Sequence, residues 1–118
     1  MQIENVTIDC NDKVANANLI IMDRSCFIWL GNANDQPALG SLVSAIETKF
    51  GVLSSSLLGG DDERGSGLAQ RLSRKFKIQT FVSYNLPESF DEEKLGVERK
   101  LVELLKVHFE VPERIESI

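Results

Sequence analysis

Polar and apolar positions alternate from the start of the chain. Val6, Ile8 and Cys10 alternate with Thr7 and Asp9, the period of two expected of a strand with one buried face. Asn11-Asp12 is a turn signal. Val14 to Met22 reads as a second strand, opening in alternation (Ala15, Asn16, Ala17, Asn18) and closing solidly apolar at Leu19-Ile20-Ile21-Met22. Asp23-Arg24-Ser25 suits a hairpin connection, and Cys26-Phe27-Ile28-Trp29-Leu30 is a third strand with no polar position.

Asn32 to Gln36 is a polar loop, and Pro37 suits the first turn of a helix. Leu39, Leu42, Val43, Ile46 and Phe50 recur at helical spacing, with Gly51 placed as the stop. Val52 to Leu58 reads as a short strand, followed by a Gly-rich acidic loop over Gly59 to Gly67. Ser66 is placed to cap a helix lined by Leu68, Leu72 and Phe76. Ile78, Thr80, Val82 and Tyr84 then alternate with Gln79, Phe81 and Ser83 as a strand that Asn85 and Pro87 end. Asp91-Glu92-Glu93 puts negative charge at the start of a last helix, where the helix dipole favours it. That helix has an apolar stripe of Val97, Leu101, Leu104, Leu105 and His108, and Pro112 stops it. The predicted order is β-β-β-α-β-α-β-α in a single domain over 1–118. The opening strands, joined by short turns, must pair antiparallel. The fold class is α+β: one mostly antiparallel β-sheet with helices packed on one face.

The second and third strands carry a consequence for function. An antiparallel sheet covered on one face should be polar on the other, yet Leu19 to Met22 and Cys26 to Leu30 are apolar on both. Either Phe27, Trp29 and Ile21, or Ile28, Leu30 and Ile20, would be left exposed as an apolar patch, the usual mark of an interaction surface. Ile20, Ile21, Phe27, Ile28 and Trp29 are therefore the candidate dimer residues. The bland alternative puts a helix on each face and needs no partner.

The 118 residues suffice for a single hydrophobic core, and 42% hydrophobic with 26% charged residues is ordinary for a soluble domain. A net charge of -5 argues against nucleic acid as the main partner. No apolar run is long enough to span a membrane, and no secretory signal is visible at the start. The two cysteines, Cys10 and Cys26, are then expected as reduced thiols in the cytosol or nucleus. No catalytic set stands out: His108 is the lone histidine and lies on an apolar stripe. Asp61-Asp62-Glu63 lacks the spaced ligands of a calcium loop, and the glycines around it lack the ending of a phosphate-binding loop. No cofactor or metal is expected, and the chain does not read as an enzyme.

Against this acidic background Arg71, Arg74, Lys75 and Lys77 sit together just after Arg64, and no carboxylate occurs from Arg64 to Asn85. Arg71, Arg74 and Lys75 are candidate contacts for an acidic partner surface; otherwise they are a solvated face. The wording here is distinctive. GLAQRL followed by FVSYNL, within residues 66–86, together with Ser54 to Gly59 and the CFIWLG of Cys26 to Gly31, resembles the proteasome assembly chaperone 4 family. The resemblance implies a non-enzymatic chaperone for the alpha ring of the 20S proteasome. It would act as a heterodimer with a proteasome assembly chaperone 3-like protein, contact the alpha-5 subunit, and leave as beta subunits arrive. A homodimer is an open alternative for the chain alone. Other proteasome chaperones dock through a C-terminal hydrophobic–tyrosine–any-residue tail; this sequence ends Glu116-Ser117-Ile118, so docking by that route is not expected. The rival reading is a self-associating scaffold domain that recruits signalling or trafficking partners through the same sheet.

Overall fold

The computed structural model describes residues 1–60 and 62–110. The expectations placed on Asp61, on Pro112 as a helix stop and on the C-terminal residues 116–118 lie outside the described residues. The strands are β1 (Gln2–Cys10), β2 (Lys13–Ile21), β3 (Ser25–Asn32), β4 (Leu42–Thr48), β5 (Gly51–Leu58) and β6 (Gln79–Asn85). The helices are α1 (Glu63–Phe76) and α2 (Lys94–Lys106), the latter preceded by a 3-10 segment, Glu88–Glu93. The strands form one six-stranded sheet in the order β1-β2-β3-β6-β4-β5. Only the central β3–β6 pair is parallel; the other four are antiparallel.

The opening meander is as the alternation predicts. Asn11 turns β1 into β2 with a φ of 63°, a left-handed conformation that Asn tolerates better than most residues. Met22 N–H donates to the Ser25 carbonyl at 2.9 Å to close the next turn.

The helix expected over 37–50 is not formed. Leu42–Thr48 is strand β4, and Gly51 (φ 117°) turns it into β5 instead of ending a helix. In the expected helical stripe Leu39, Ile46 and Phe50 are exposed, and only Val43 is buried. The true inward set is Val43 and Ala45, two residues apart. A short apolar run fits both periods, and pairing decides between them: β4 gains β6 on one side and β5 on the other. The Thr48 hydroxyl donates to Gly51 O at 2.9 Å and accepts from Phe50 N–H at 3.1 Å, holding the hairpin tip.

One face of the sheet makes the core. Ala15, Ala17, Leu19 and Ile21 of β2, Cys26, Ile28 and Leu30 of β3, and Thr80, Val82 and Tyr84 of β6 are all buried. Leu68, Ala69, Leu72 and Phe76 of α1 and Val97, Leu101 and Leu105 of α2 are buried with them. Each fully buried Leu contributes about 1.5–3 kcal/mol relative to leaving it in water. Helix α1 starts three residues before the expected cap. Asp62, not Ser66, is the N-cap: its carboxylate accepts from Arg64 N–H at 3.2 Å and from the Ser41 hydroxyl at 3.0 Å. Helix α1 ends at Lys77 in the left-handed conformation (φ 58°). Asp91, Glu92 and Glu93 fall in the 3-10 segment, not in the first turn of α2. His108 lies beyond α2, half-buried against the Glu4 carboxylate, which gives it a structural partner.

Candidate interaction surface

Both helices pack on one side, so the register decides what the other side presents. Cross-strand partners share a face. Following the pairs outward, Ile3 stands opposite Ile20, Ile20 opposite Phe27, Phe27 opposite Phe81, Phe81 opposite Ser44 and Ser44 opposite Ser55. This row crosses all six strands of the sheet and is apolar over its first four positions. A second row runs Asn5, Asn18, Trp29 and Ser83. Near the β5 edge, Ile46 stands opposite Leu53. Ile20, Phe27, Trp29 and Phe81 are half-buried, while Ile3 and Leu53 are each 61% exposed.

The face is nearly without charge. Its strand positions are filled by Asn, Ser, Gln, Thr and apolar residues, and Asp9, at one corner, is its ionisable side chain. The charged strand residues Glu4, Lys13 and Glu47 all project to the helix side, where they pair with His108, Glu93 and Lys77. A solvated outer face ordinarily collects charge; an apolar centre with an uncharged polar rim is the make-up of a protein interface.

Trp29 is held in place on this face. Its indole N–H donates to Ala38 O at 2.8 Å. Its ring lies over Gly31, where an added Cβ would sit 2.2 Å from the ring. The Asn85 side-chain oxygen accepts from Gly40 N–H at 2.9 Å and ties the same crossing segment down.

The register corrects the candidate dimer residues. Ile20 joins Phe27 and Trp29 on the open face, whereas Ile21 and Ile28 point under the helices, at 6% and 0% exposure. Neither grouping that the sequence allowed is the real one, because which of Ile20 and Ile21 meets Phe27 depends on the turn between the strands.

The basic helix is largely engaged internally. The Arg71 guanidinium grips both oxygens of Glu98 on α2, with contacts of 2.7–3.0 Å. That bond, opposed by burial, raises its already high pKa. Arg64 donates to Leu86 O at 3.0 Å, lies 3.6 Å from Asp91 and stacks 4.8 Å from the Tyr84 ring centre. Burial pushes the Tyr84 hydroxyl above its ordinary pKa. Arg74 and Lys75 alone of the three candidates stay exposed and outside the ion pairs formed among the described residues.

The chemistry-bearing groups lie apart from one another. Cys26 is buried and its thiol is pushed up to about 12 by desolvation. Burial, with Glu93 and Asp9 nearby, also raises Cys10. A cleft of about 450 Å³ between α1 and α2 is lined by Leu68, Tyr84, Leu95 and Val97, but its Glu98 carboxylate is the one clasped by Arg71. Among the described residues no group of three or more His, Cys, Asp or Glu side chains is placed to hold a metal, and no helix is long and apolar enough to cross a membrane.

Comparison with known proteins meets the same features. The family model described as "Proteasome assembly chaperone 4" matches residues 15–86, which span β2 to β6. The human protein named proteasome assembly chaperone 4 is 35% identical over 95 residues, covering 78% of this chain and 75% of its own. The mouse protein of that name is 33% identical over the same coverage. A crystal structure described as a novel chaperone complex for yeast 20S proteasome assembly has the same fold. Its TM-score is 0.74 at 17% identity, over 90% of this chain and 95% of that one. This chain belongs to the proteasome assembly chaperone 4 family.

Proposed function

We propose that the chain acts as one half of a heterodimer with a proteasome assembly chaperone 3-like protein, joined through the open sheet face. As that pair it supports formation of the 20S alpha ring by holding an unassembled alpha subunit, alpha-5, and leaves as beta subunits are incorporated. The action is non-enzymatic: binding favours assembly intermediates, and the finished subunit interface displaces the chaperone. Its working compartment is the cytosol or nucleus.

One observation carries this reading. The row Ile20, Phe27 and Phe81 lies on a sheet face that no helix of the described chain covers; the segment between β3 and β4 crosses only its end, at Trp29 and Asn85. A second sheet of the same kind would complete it, since stacked sheets interdigitate across about 10 Å. Arg74 and Lys75, on the opposite side of the molecule, are assigned to the acidic target.

Tagged wild-type chain, a Phe27→Ser/Phe81→Ser variant and an Arg74→Glu/Lys75→Glu variant, each recovered from cell extract with mass identification of the bound proteins, test it. The wild type is expected to bring down a chaperone 3-like protein and alpha subunits. The face variant loses both; the helix variant keeps the chaperone and loses the alpha subunit. Recovery of a chaperone 3-like protein by the face variant at wild-type levels would overturn the interface assignment.

A further inference from the structure

Strand β5 is an edge of the sheet. Edge strands expose a row of unused backbone donors and acceptors, and natural proteins blunt them with charge, Pro or a covering element. The opposite edge, β1, carries Glu4 and Asp9. β5, GVLSSSLL, carries no charge and no Pro, and all of its residues but Val52 are exposed.

Its order is also symmetrical. From Val52 to Leu58 the residues run apolar, apolar, Ser, Ser, Ser, apolar, apolar, the same from either end, with Ser55 at the centre. Laid antiparallel on a copy of itself about Ser55, the strand pairs Leu53 with Leu57, Ser54 with Ser56 and Ser55 with Ser55. No like charges meet, and apolar side chains meet apolar ones, which is the self-complementarity a two-fold interface requires. The Ser54 hydroxyl is bonded to Ser66 and Gln70 on the helix side, so the pairing leaves those contacts in place. The register shift against β4 falls at Leu57, which has no partner on β4, so the edge is regular from Gly51 to Ser56, around Ser55, and irregular beyond it.

We infer that β5 is a self-association edge: a second copy of this chain adds its own β5 antiparallel about Ser55, joining two sheets into one. This interface is distinct from the open face and does not rest on the heterodimer reading. The occupant is a second copy, since an arbitrary strand would not share the symmetry of VLSSSLL.

Cysteine scanning tests the register. Residues directly opposed in an antiparallel pair have Cα atoms about 4.5–5.5 Å apart, inside the range of about 4.4–6.8 Å that a disulfide spans. Cys10 and Cys26 are buried, so an introduced exposed thiol dominates crosslinking. Under oxidised glutathione, Ser55→Cys is expected to form a covalent dimer at least several-fold faster than Leu53→Cys alone. A mixture of Leu53→Cys with Leu57→Cys is expected to regain the fast rate. The Phe27→Ser background is expected to leave the Ser55→Cys rate unchanged, which separates this edge from the open face. Equal crosslinking by Ser55→Cys and Leu53→Cys, or loss of the Ser55→Cys dimer in the Phe27→Ser background, would overturn the inference.

Discussion

Phe27 and Ile28 are chain neighbours on β3 with opposite duties, and substituting each in turn separates them. Ile28 is fully buried beneath the helices. Ile28→Ala removes buried methyl groups and leaves a cavity, at a cost of about 2–5 kcal/mol. For a domain of this size each kcal/mol moves Tm by roughly 3–6 °C, so a fall of about 6–30 °C is expected. Phe27 is half-buried and meets Ile20 and Phe81 across the strands. Phe27→Ser gives up those two cross-strand pairs, each worth roughly 0.2–1 kcal/mol, so about 1 kcal/mol of stability. If the open face binds a partner sheet, the same aromatic lies in the desolvated centre. Its truncation then costs roughly 2 kcal/mol or more of binding, about a 30-fold loss of affinity. Urea unfolding followed by circular dichroism reads the first quantity, and titration calorimetry against the partner chaperone reads the second. The reasoning fails if Phe27→Ser unfolds as readily as Ile28→Ala, or if it binds the partner chaperone with wild-type affinity.

Other substitutions probe single contacts. Gly31→Ala puts a Cβ 2.2 Å from the Trp29 ring; it is expected to cost about 1–3 kcal/mol and to shift the emission of the protein's single tryptophan, and an unchanged spectrum would refute the packing. Asp62→Ala removes the α1 cap and is expected to cost about 0.5–2 kcal/mol, read by thermal unfolding beside Ser66→Ala, which should cost less. The Cys26 thiol is held protonated by burial up to about 12, whereas an unfolded thiol ionises near pH 8.5. The unfolded state therefore loses a proton that the native state keeps, and stability falls as pH rises above about 9, by up to about 1.4 kcal/mol per pH unit. Urea unfolding of wild type and Cys26→Ala from pH 7 to 10.5 should show the steeper decline in the wild type, and parallel slopes would argue against a buried thiol.

Much of the fold is legible in local pattern. The alternation at Val6–Cys10 and Ile78–Tyr84 marks strands, and Leu68, Leu72 and Phe76 mark the inner face of α1, all as the structure has them. What escaped depends on distant partners. β4 looked helical because Leu39, Leu42, Val43 and Ile46 fit a helical spacing, while Ala45, the second inward residue, is too small to stand out. Its strand state is imposed by β6, more than thirty residues on. The open face was half legible: two-sided apolar strands announced a face without a helix on it, but the grouping of Ile20 with Phe27 rests on a register that a one-residue slip would invert. The pairing within the basic cluster was hidden for the same reason. The carboxylates that occupy Arg71, Lys77 and Arg64 come from α2, β4 and the 3-10 segment, out of sight of the local charge run.

The position of β6 has a bearing on how the molecule comes to exist. β1, β2 and β3 can form as a local meander, and β4 with β5 as a local hairpin, but neither group touches the other directly in the sheet. β6 lies between them, parallel to β3 and antiparallel to β4, and it is made after both. Until it inserts, β3 and β4 are open inner edges, and the apolar run Cys26 to Leu30 faces water on both sides. Non-local and parallel pairings are slow to form because the loop must close before the contacts reward it. The late joining of the sheet thus defines an aggregation-exposed interval. A chain cut after Leu58 would hold two fragments of a sheet with nothing to connect them.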